Sequence, residues 1–498
     1  MDIQVMCEKL QNLQMERAAY QHASSSLYFD GSTVAPRGSA EDRGVVLGML
    51  SQKSYELFVN DEVRVLLDEL WKVKDEITPE QRRQVELLRE ELDQLTRTPM
   101  DEYVEYVKLS NIADEKWRKA KEENDYSIFE PYLVKIIEFQ RKFASYKNAD
   151  IPAYEALLDD YEKGMTTQVL DEFFGMLREK LVPLIDTIKN QPPRASFANE
   201  FASVQKQREL SDYLMEVIGL DRNYCNIAES EHPFTLGFNK HDVRITTHYY
   251  ENDLLSSMYS VIHEGGHALY ELNMAQEYQR TILYDSTSMG MHESQSRFFE
   301  NMIGHHPAFS KLMLPKLQEL FPETYENVDV KELYRAINHI QPSLIRTDAD
   351  EVTYPLHIMV RYELEKRLIS GELLARDLPE AWNAMYKDYL GIDVPSDSVG
   401  VLQDMHWSSG YFGYFPTYAL GSAYAAQFMA TIQKTIDVAA CIENGDLTPI
   451  GAWLTEHVHR HGHMIDSQEL IENATGEAFN AQYYVDYLAA KVKDVYGA

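Results

Sequence analysis

Cysteine is almost missing from this chain: Cys7, Cys225 and Cys441 are the only three in 498 residues. They are odd in number and far apart, which excludes a disulfide framework and fits a reducing, cytoplasmic setting. Long apolar runs are missing too. No stretch of about 18 apolar residues occurs, so no membrane-spanning helix is expected. The opening MDIQVMCEKLQNLQMERAAYQ lacks the basic-then-apolar order of a secretory signal. Basic charge is scarce, with 47 Lys and Arg against 80 Asp and Glu and a formal charge of -33. That balance argues against nucleic acid or an anionic membrane as a partner, because both need a basic face. Hydrophobic residues at 44% and charged residues at 26% still describe an ordinary globular protein.

Helix signal fills most of the length. Residues 60–95 space apolar side chains three and four apart among charges, and Thr78-Pro79-Glu80-Gln81 supplies a cap and an N1 proline between two helices. Similar amphipathic runs cover 129–146, 167–190, 252–276, 292–303, 331–340, 355–370 and 467–497. Strand signal is confined to Val243-Arg244-Ile245-Thr246-Thr247-His248-Tyr249-Tyr250 and the shorter stretch 233–239. Pro192-Pro193 reads as a loop. Without a linker, a repeat or a low-complexity segment, residues 1–498 are expected to form a single, mainly α domain. A small sheet should lie just before 252–276.

That run contains His263-Glu264-Gly265-Gly266-His267. Histidines four apart stack on one face of a helix and can hold one ion. Glu264, about 100° around the helix, can reach a water beside that ion without being a ligand. The two glycines each cost a helix about 1 kcal/mol relative to alanine. Such a pair implies close approach of another backbone or of a substrate. A catalytic zinc needs a third protein ligand and an open position. No histidine follows in 268–274, so the ligand must come from farther along. The segment Gly290-Met291-His292-Glu293-Ser294-Gln295 offers His292 or Glu293 on a returning helix, with Glu271 and Glu300 as competing carboxylates. The chemistry that follows is hydrolysis, with the ion as Lewis acid and Glu264 as general base.

Six elements, in order, resemble the thermostable-carboxypeptidase family of HExxH zinc metallopeptidases. They are His232-Pro233-Phe234, the DxRxT element Asp242 to Thr246, the HExxH motif, His292-Glu293-Ser294-Gln295, the IRxxAD element Ile345 to Asp350, and GxxQDxHW from Gly400 to Trp407. Weaker similarity includes 154–164 (YEALLDDYEKG) and the region of Thr475-Gly476-Glu477. Near the start, Phe29-Asp30-Gly31-Ser32-Thr33-Val34-Ala35-Pro36 departs from the family's WDxxTxMP and puts local packing there in question. The resemblance implies a large all-helical, gluzincin-type fold with a deep substrate groove, and a homodimer. It also implies one divalent metal per chain, zinc or else cobalt, and broad metallocarboxypeptidase activity on peptides with a free C-terminus. It assigns His263, His267 and Glu293 as ligands and Glu264 as general base.

A terminal carboxylate is best met by an arginine fork. Arg346 is the first candidate, weighed against an ion pair with Asp348, Asp350 or Glu351, and Arg244 is the second; Asp242 can orient it or a nearby ligand, or serve a structural role. His232 and His406 are candidates for contacting the carbonyl or the carboxylate. In GYFGYFPTYALG, Tyr418 is preferred to Tyr411 as oxyanion donor. His457, His459, His461 and His463 are read as surface or local packing. The other readings of the same residues are a zinc oligopeptidase cutting inside short peptides and an inactive helical scaffold. Intact Glu264 argues against the second.

Overall fold

The computed structural model describes residues 2–188 and 195–496, and helices dominate it. Four helices open the chain: α1 (Ile3–Thr33), α2 (Ala40–Phe58), α3 (Asp61–Lys72) and α4 (Pro79–Arg97). The expected cap before α4 is a full capping box, in which Thr78 Oγ1 accepts from the Gln81 amide at 3.2 Å and Gln81 Oε1 from the Thr78 amide at 3.1 Å. Met6, Leu10, Leu67, Leu70, Val85 and Leu88 from α1, α3 and α4 form a small apolar cluster of their own. A second, far larger core runs from Ala113 to Val492. Most remaining expected helices appear at Glu130–Lys147, Thr167–Ile188, Leu254–Asn273, Val330–Ile337 and Tyr354–Ser370. The Pro192-Pro193 loop falls outside the described residues.

Three expectations change. The C-terminal run is two helices, Ser467–Thr475 and Gln482–Tyr496, because Gly476 adopts φ 82° and ends the first. The run placed at 292–303 begins at Met289, is α-helical to Arg297, and widens into a π-helix over Phe298–Gly304. The sheet has three strands, β1 (Cys225–Glu229), β2 (Thr235–Asn239) and β3 (Asp242–Thr247). β3 is central, antiparallel to β2 and parallel to β1. β1 has little β-forming sequence and exists by pairing with β3.

The sheet leads into Leu254–Asn273, here called the metal helix, which starts where Asp253 Oδ1 accepts from the Ser256 amide. Thirteen of its residues are buried, the two glycines among them. Met289–Arg297, the return helix, packs across it. The glycine pair allows this. A Cβ on Gly266 would lie 2.5 Å from Gln295 O and 2.7 Å from Ser296 Cα, so only glycine lets the two backbones meet. Gly265 faces side-chain tips instead, Ile218 Cδ1 and, farther off, Leu220 Cδ1. Among the described residues no helix is long and apolar enough to cross a membrane.

Candidate metal centre

One ligand atom each from His263, His267 and Glu293 lies within 4.8 Å of the others. Glu293 Oε2 sits 3.8 Å from His263 Nε2 and 3.6 Å from His267 Nε2. These gaps are too long for hydrogen bonds. They are close to the edge of about 3.3–3.4 Å that a zinc tetrahedron with bonds of about 2.0–2.1 Å requires. His267 Nδ1 is buried with no partner among the described residues. The donor set therefore fits a borderline divalent ion.

The surrounding groups orient these donors. Glu300, carried by the π-helix, accepts from His263 Nδ1 at 2.6 Å and so turns Nε2 toward the cluster. Arg297 Nε donates to Glu293 Oε1 at 2.7 Å, leaving Oε2 to face the imidazoles, and its Nη1 donates to Glu300 at 3.2 Å. Burial opposes ionisation of Glu293, but Arg297 and the imidazoles outweigh it and hold the carboxyl well below its usual range. Burial likewise opposes a charge on His263, but Glu300 and Glu293 outweigh it and raise the imidazole to about 9. A field that favours a proton there favours a cation too. His267, buried and beside His292, is pushed down to about 3.

The carboxylates left open by spacing find other partners. Glu300 holds His263, and Glu271 lies 3.2 Å from His292 Nε2. His292 stacks on His267, with ring centroids 4.1 Å apart. Glu264 lies beside the cluster, 7% exposed. Its Oε2 accepts from Thr235 Oγ1 at 2.6 Å, the same hydroxyl bonding Glu264 O at 2.9 Å, so β2 fixes the side chain. Burial raises its pKa, partly offset by His263 and Thr235. A carboxylate eased toward protonation is suited to accepting a proton.

The other candidates divide into two groups. Arg346 is buried and spends its fork on Asp404 (3.1 and 3.0 Å), with Nη1 on Tyr354 Oη at 3.1 Å. Its ion pair is with Asp404 and not with its sequence neighbours. Asp350 accepts from Thr353 and Gln341, and Glu351 pairs with Lys491 and His305. Asp404 is clasped from the other side by fully buried Arg361, at 2.7 Å. His406 follows two residues on, its Nε2 3.4 Å from Tyr418 Oη. Burial and the nearby arginines push His406 down to about 4, against the pull of Asp404. Burial raises Tyr418 well above the usual phenol range. The Arg297 guanidinium lies 4.8 Å over the Tyr354 ring, so Glu293, Arg297, Tyr354, Arg346, Tyr418 and His406 form one connected wall.

Arg244 is separate. Asp242 orients it as expected, accepting at 2.9 and 2.7 Å, and Phe238 and Phe29 lie 4.3 and 5.1 Å from its guanidinium. Phe29, in the segment that departs from the family pattern, therefore closes an aromatic contact onto the sheet. Tyr411 is 49% exposed and His232 is exposed between β1 and β2. His459, read as surface or local packing, is buried and lies 2.8 Å from Gln295 Oε1. Spacing could not find Thr235 or Arg361, whose partners are 29 and 43 positions away, and it passes over Arg297 and Tyr354 although Arg297 lies about one helical turn from both its carboxylates. Only Asp404 lay inside a recognised motif.

The model of the carboxypeptidase Taq (M32) metallopeptidase family matches residues 9–492. Carboxypeptidase 1 of Bacillus subtilis (strain 168) is 41% identical over 480 residues, covering 96% of each chain. Thermostable carboxypeptidase 1 of Pyrococcus furiosus is 36% identical over 475 residues, covering 94% of this chain and 95% of its own. The crystal structure of the M32 carboxypeptidase from Deinococcus radiodurans R1 superposes with a TM-score of 0.96 at 35% identity, over 99% of this chain and all of that one.

Proposed function

This chain belongs to the carboxypeptidase Taq (M32) family of metallopeptidases and is a metallocarboxypeptidase; from that premise we propose that it releases single C-terminal residues from peptides of varied sequence, with Glu264 as general base beside one divalent ion held by His263, His267 and Glu293. The observation that carries the reading is the convergence of those three donors with buried Glu264 at their side. Zinc is the favoured ion for an N, N, O set, with cobalt as the alternative. When bound, the ion supplies Lewis acidity toward the scissile carbonyl and the attacking water.

The chain's own residues do the rest. Thr235 holds one oxygen of Glu264, which leaves Oε1 to take the proton from water and return it to the leaving amine. Tyr418 donates to the developing oxyanion, with neutral His406 beside it as the second donor. Arg346 is the charge that meets the terminal carboxylate. Since its fork already holds Asp404 and Nη1 also meets Tyr354, it offers the substrate the two remaining N–H groups, one on each Nη, of a fixed guanidinium. Arg244, His232 and exposed Tyr411 extend the substrate wall of the groove. Residues 1–498 act as one catalytic unit in the cytoplasm, paired as a homodimer, which sedimentation would test.

An N-blocked tripeptide, offered as free acid and as C-terminal amide, decides the matter. Metal-dependent loss of the last residue from the acid alone is the expected outcome. Equal cleavage of both would establish an oligopeptidase that cuts inside short peptides, and the exopeptidase reading would fall.

A further inference from the structure

Residues 154–164 belong to none of the six motifs, yet they touch both halves of the site. The short helix Ala153–Leu158 begins this segment, and the turn after it brings Tyr161 and Glu162 to the start of the return helix. The Met289 amide donates to Tyr161 O at 3.1 Å. The Gly290 amide donates to Glu162 Oε2 at 3.1 Å. Both are amides of a first helical turn, which lack partners within their own helix and carry its positive end. Glu162 is 1% exposed, and its other oxygen accepts from Tyr424 Oη at 3.0 Å, from the helix that also packs on Glu293. A Cβ at Gly290 would lie 2.4 Å from Glu162 Oε2, so glycine is what admits the carboxylate.

The consequence falls on the third ligand. Glu293 stands one turn beyond Gly290. Gly421, on the same helix as Tyr424, packs against it, and a Cβ there would lie 2.7 Å from Glu293 Cβ. The return helix is thus held at its first turn by Glu162 and at Glu293 by Gly421. The same segment reaches the other wall. Tyr154 Oη donates at 2.9 Å to Glu365, which also receives the Trp407 indole at 2.7 Å and the Gly413 amide at 2.9 Å, and these flank His406 and Tyr411.

We propose that Glu162 is a positioning residue for the metal centre: its carboxylate, bound to the Gly290 amide, sets the height of the return helix and so places Glu293 against His263 and His267. The proposal rests on that ligand set. The test is zinc affinity, measured with Zn²⁺ alone against a chromophoric chelator, for wild type, Glu162→Ala, Glu162→Gln and Glu162→Asp. Glutamine keeps an acceptor for Gly290, whereas aspartate keeps the charge but withdraws it. Removing a group that orients ligands weakens metal binding about 10–100-fold. Alanine and aspartate are expected to show that loss and glutamine to restore affinity, with the melting temperatures of the metal-free aspartate and glutamine variants alike. If alanine does not fold, the aspartate–glutamine contrast decides alone. Equal affinities in wild type and aspartate, or a loss in glutamine as large as in aspartate, would overturn the proposal. Absence of stoichiometric zinc on wild type would instead overturn the ligand set.

Discussion

In the proposed mechanism Glu264 is the general base and not a ligand, so its role should separate from metal binding. Glu264→Gln should keep zinc content at one per chain while lowering kcat by about 10²–10⁴, the usual share of a positioned base. Zinc analysis beside steady-state rates checks this, and a variant with unchanged kcat would remove Glu264 from the mechanism. His459 poses a different question. Burial pushes it down to about 3, while an unfolded histidine titrates near 6.5. The unfolded chain therefore binds more protons between those values, and stability falls as pH drops, by about 1.4 kcal/mol per unit. His459→Gln lacks this proton and faces the same Gln295 oxygen. Between pH 7 and pH 5 its stability should gain about 2 kcal/mol relative to wild type, read from denaturant midpoints at both pH values; a constant gap would mean that His459 titrates normally. Residues such as these show what a sequence yields one position at a time. His263 and His267 are legible because helix periodicity sets their relation. Glu300, 37 positions from the histidine it orients, is legible only as a competing ligand, and the fold gives it the different task of holding His263.

At the scale of elements, the glycine pair makes the sharpest claim. Gly265 and Gly266 carry the same cost in helix propensity but have different surroundings. At 266 a methyl group meets the backbone of the return helix at 2.5 Å, which yields only if that helix, and Glu293 with it, moves away. At 265 it meets the end of Ile218, a side chain that can change rotamer. Gly266→Ala should lose about 1–3 kcal/mol to overpacking and at least tenfold in zinc affinity. Gly265→Ala should stay within about 1 kcal/mol of wild type and keep its activity, since the gain in helix propensity offsets repacking. Parallel thermal melts and zinc titrations would test the contrast, and equivalent behaviour of the two variants would refute it. The sequence announces that something must approach these glycines, though not which neighbour. Amphipathic spacing likewise reveals about half of the helices, those that bury one face, but not ones such as Ile3–Thr33, Met100–Glu123 or the almost wholly buried Pro416–Ile432. It misses β1, which depends on a partner strand 18 positions away, and the π-helix, whose wider turn leaves no mark in the apolar pattern.

For the whole molecule, periodicity identifies which faces are buried but not which meet, so neither the separate cluster under α1, α3 and α4 nor the joining of the metal and return helices could be read in advance. That joining has a thermodynamic consequence. An ion bound only to the folded chain stabilises it by about 2.7 kcal/mol at a hundredfold excess over Kd. A chain of 498 residues, at about 2.1 cal/mol/K per residue, unfolds with an entropy near 1 kcal/mol/K. Zinc at a hundredfold excess over Kd should therefore raise the melting temperature by about 3 °C over chelator-treated protein, and by about 1.3 °C more for each further tenfold in free zinc. Because both histidines lie on one helix and Glu293 on the other, Glu293→Ala should abolish most of this shift, while its metal-free melt falls by a few degrees because buried Arg297 loses a partner. A zinc shift that survives in Glu293→Ala would place the ion elsewhere on this strongly acidic surface, whereas its loss would tie the two helices, and with them the two walls of the site, to a single bound ion.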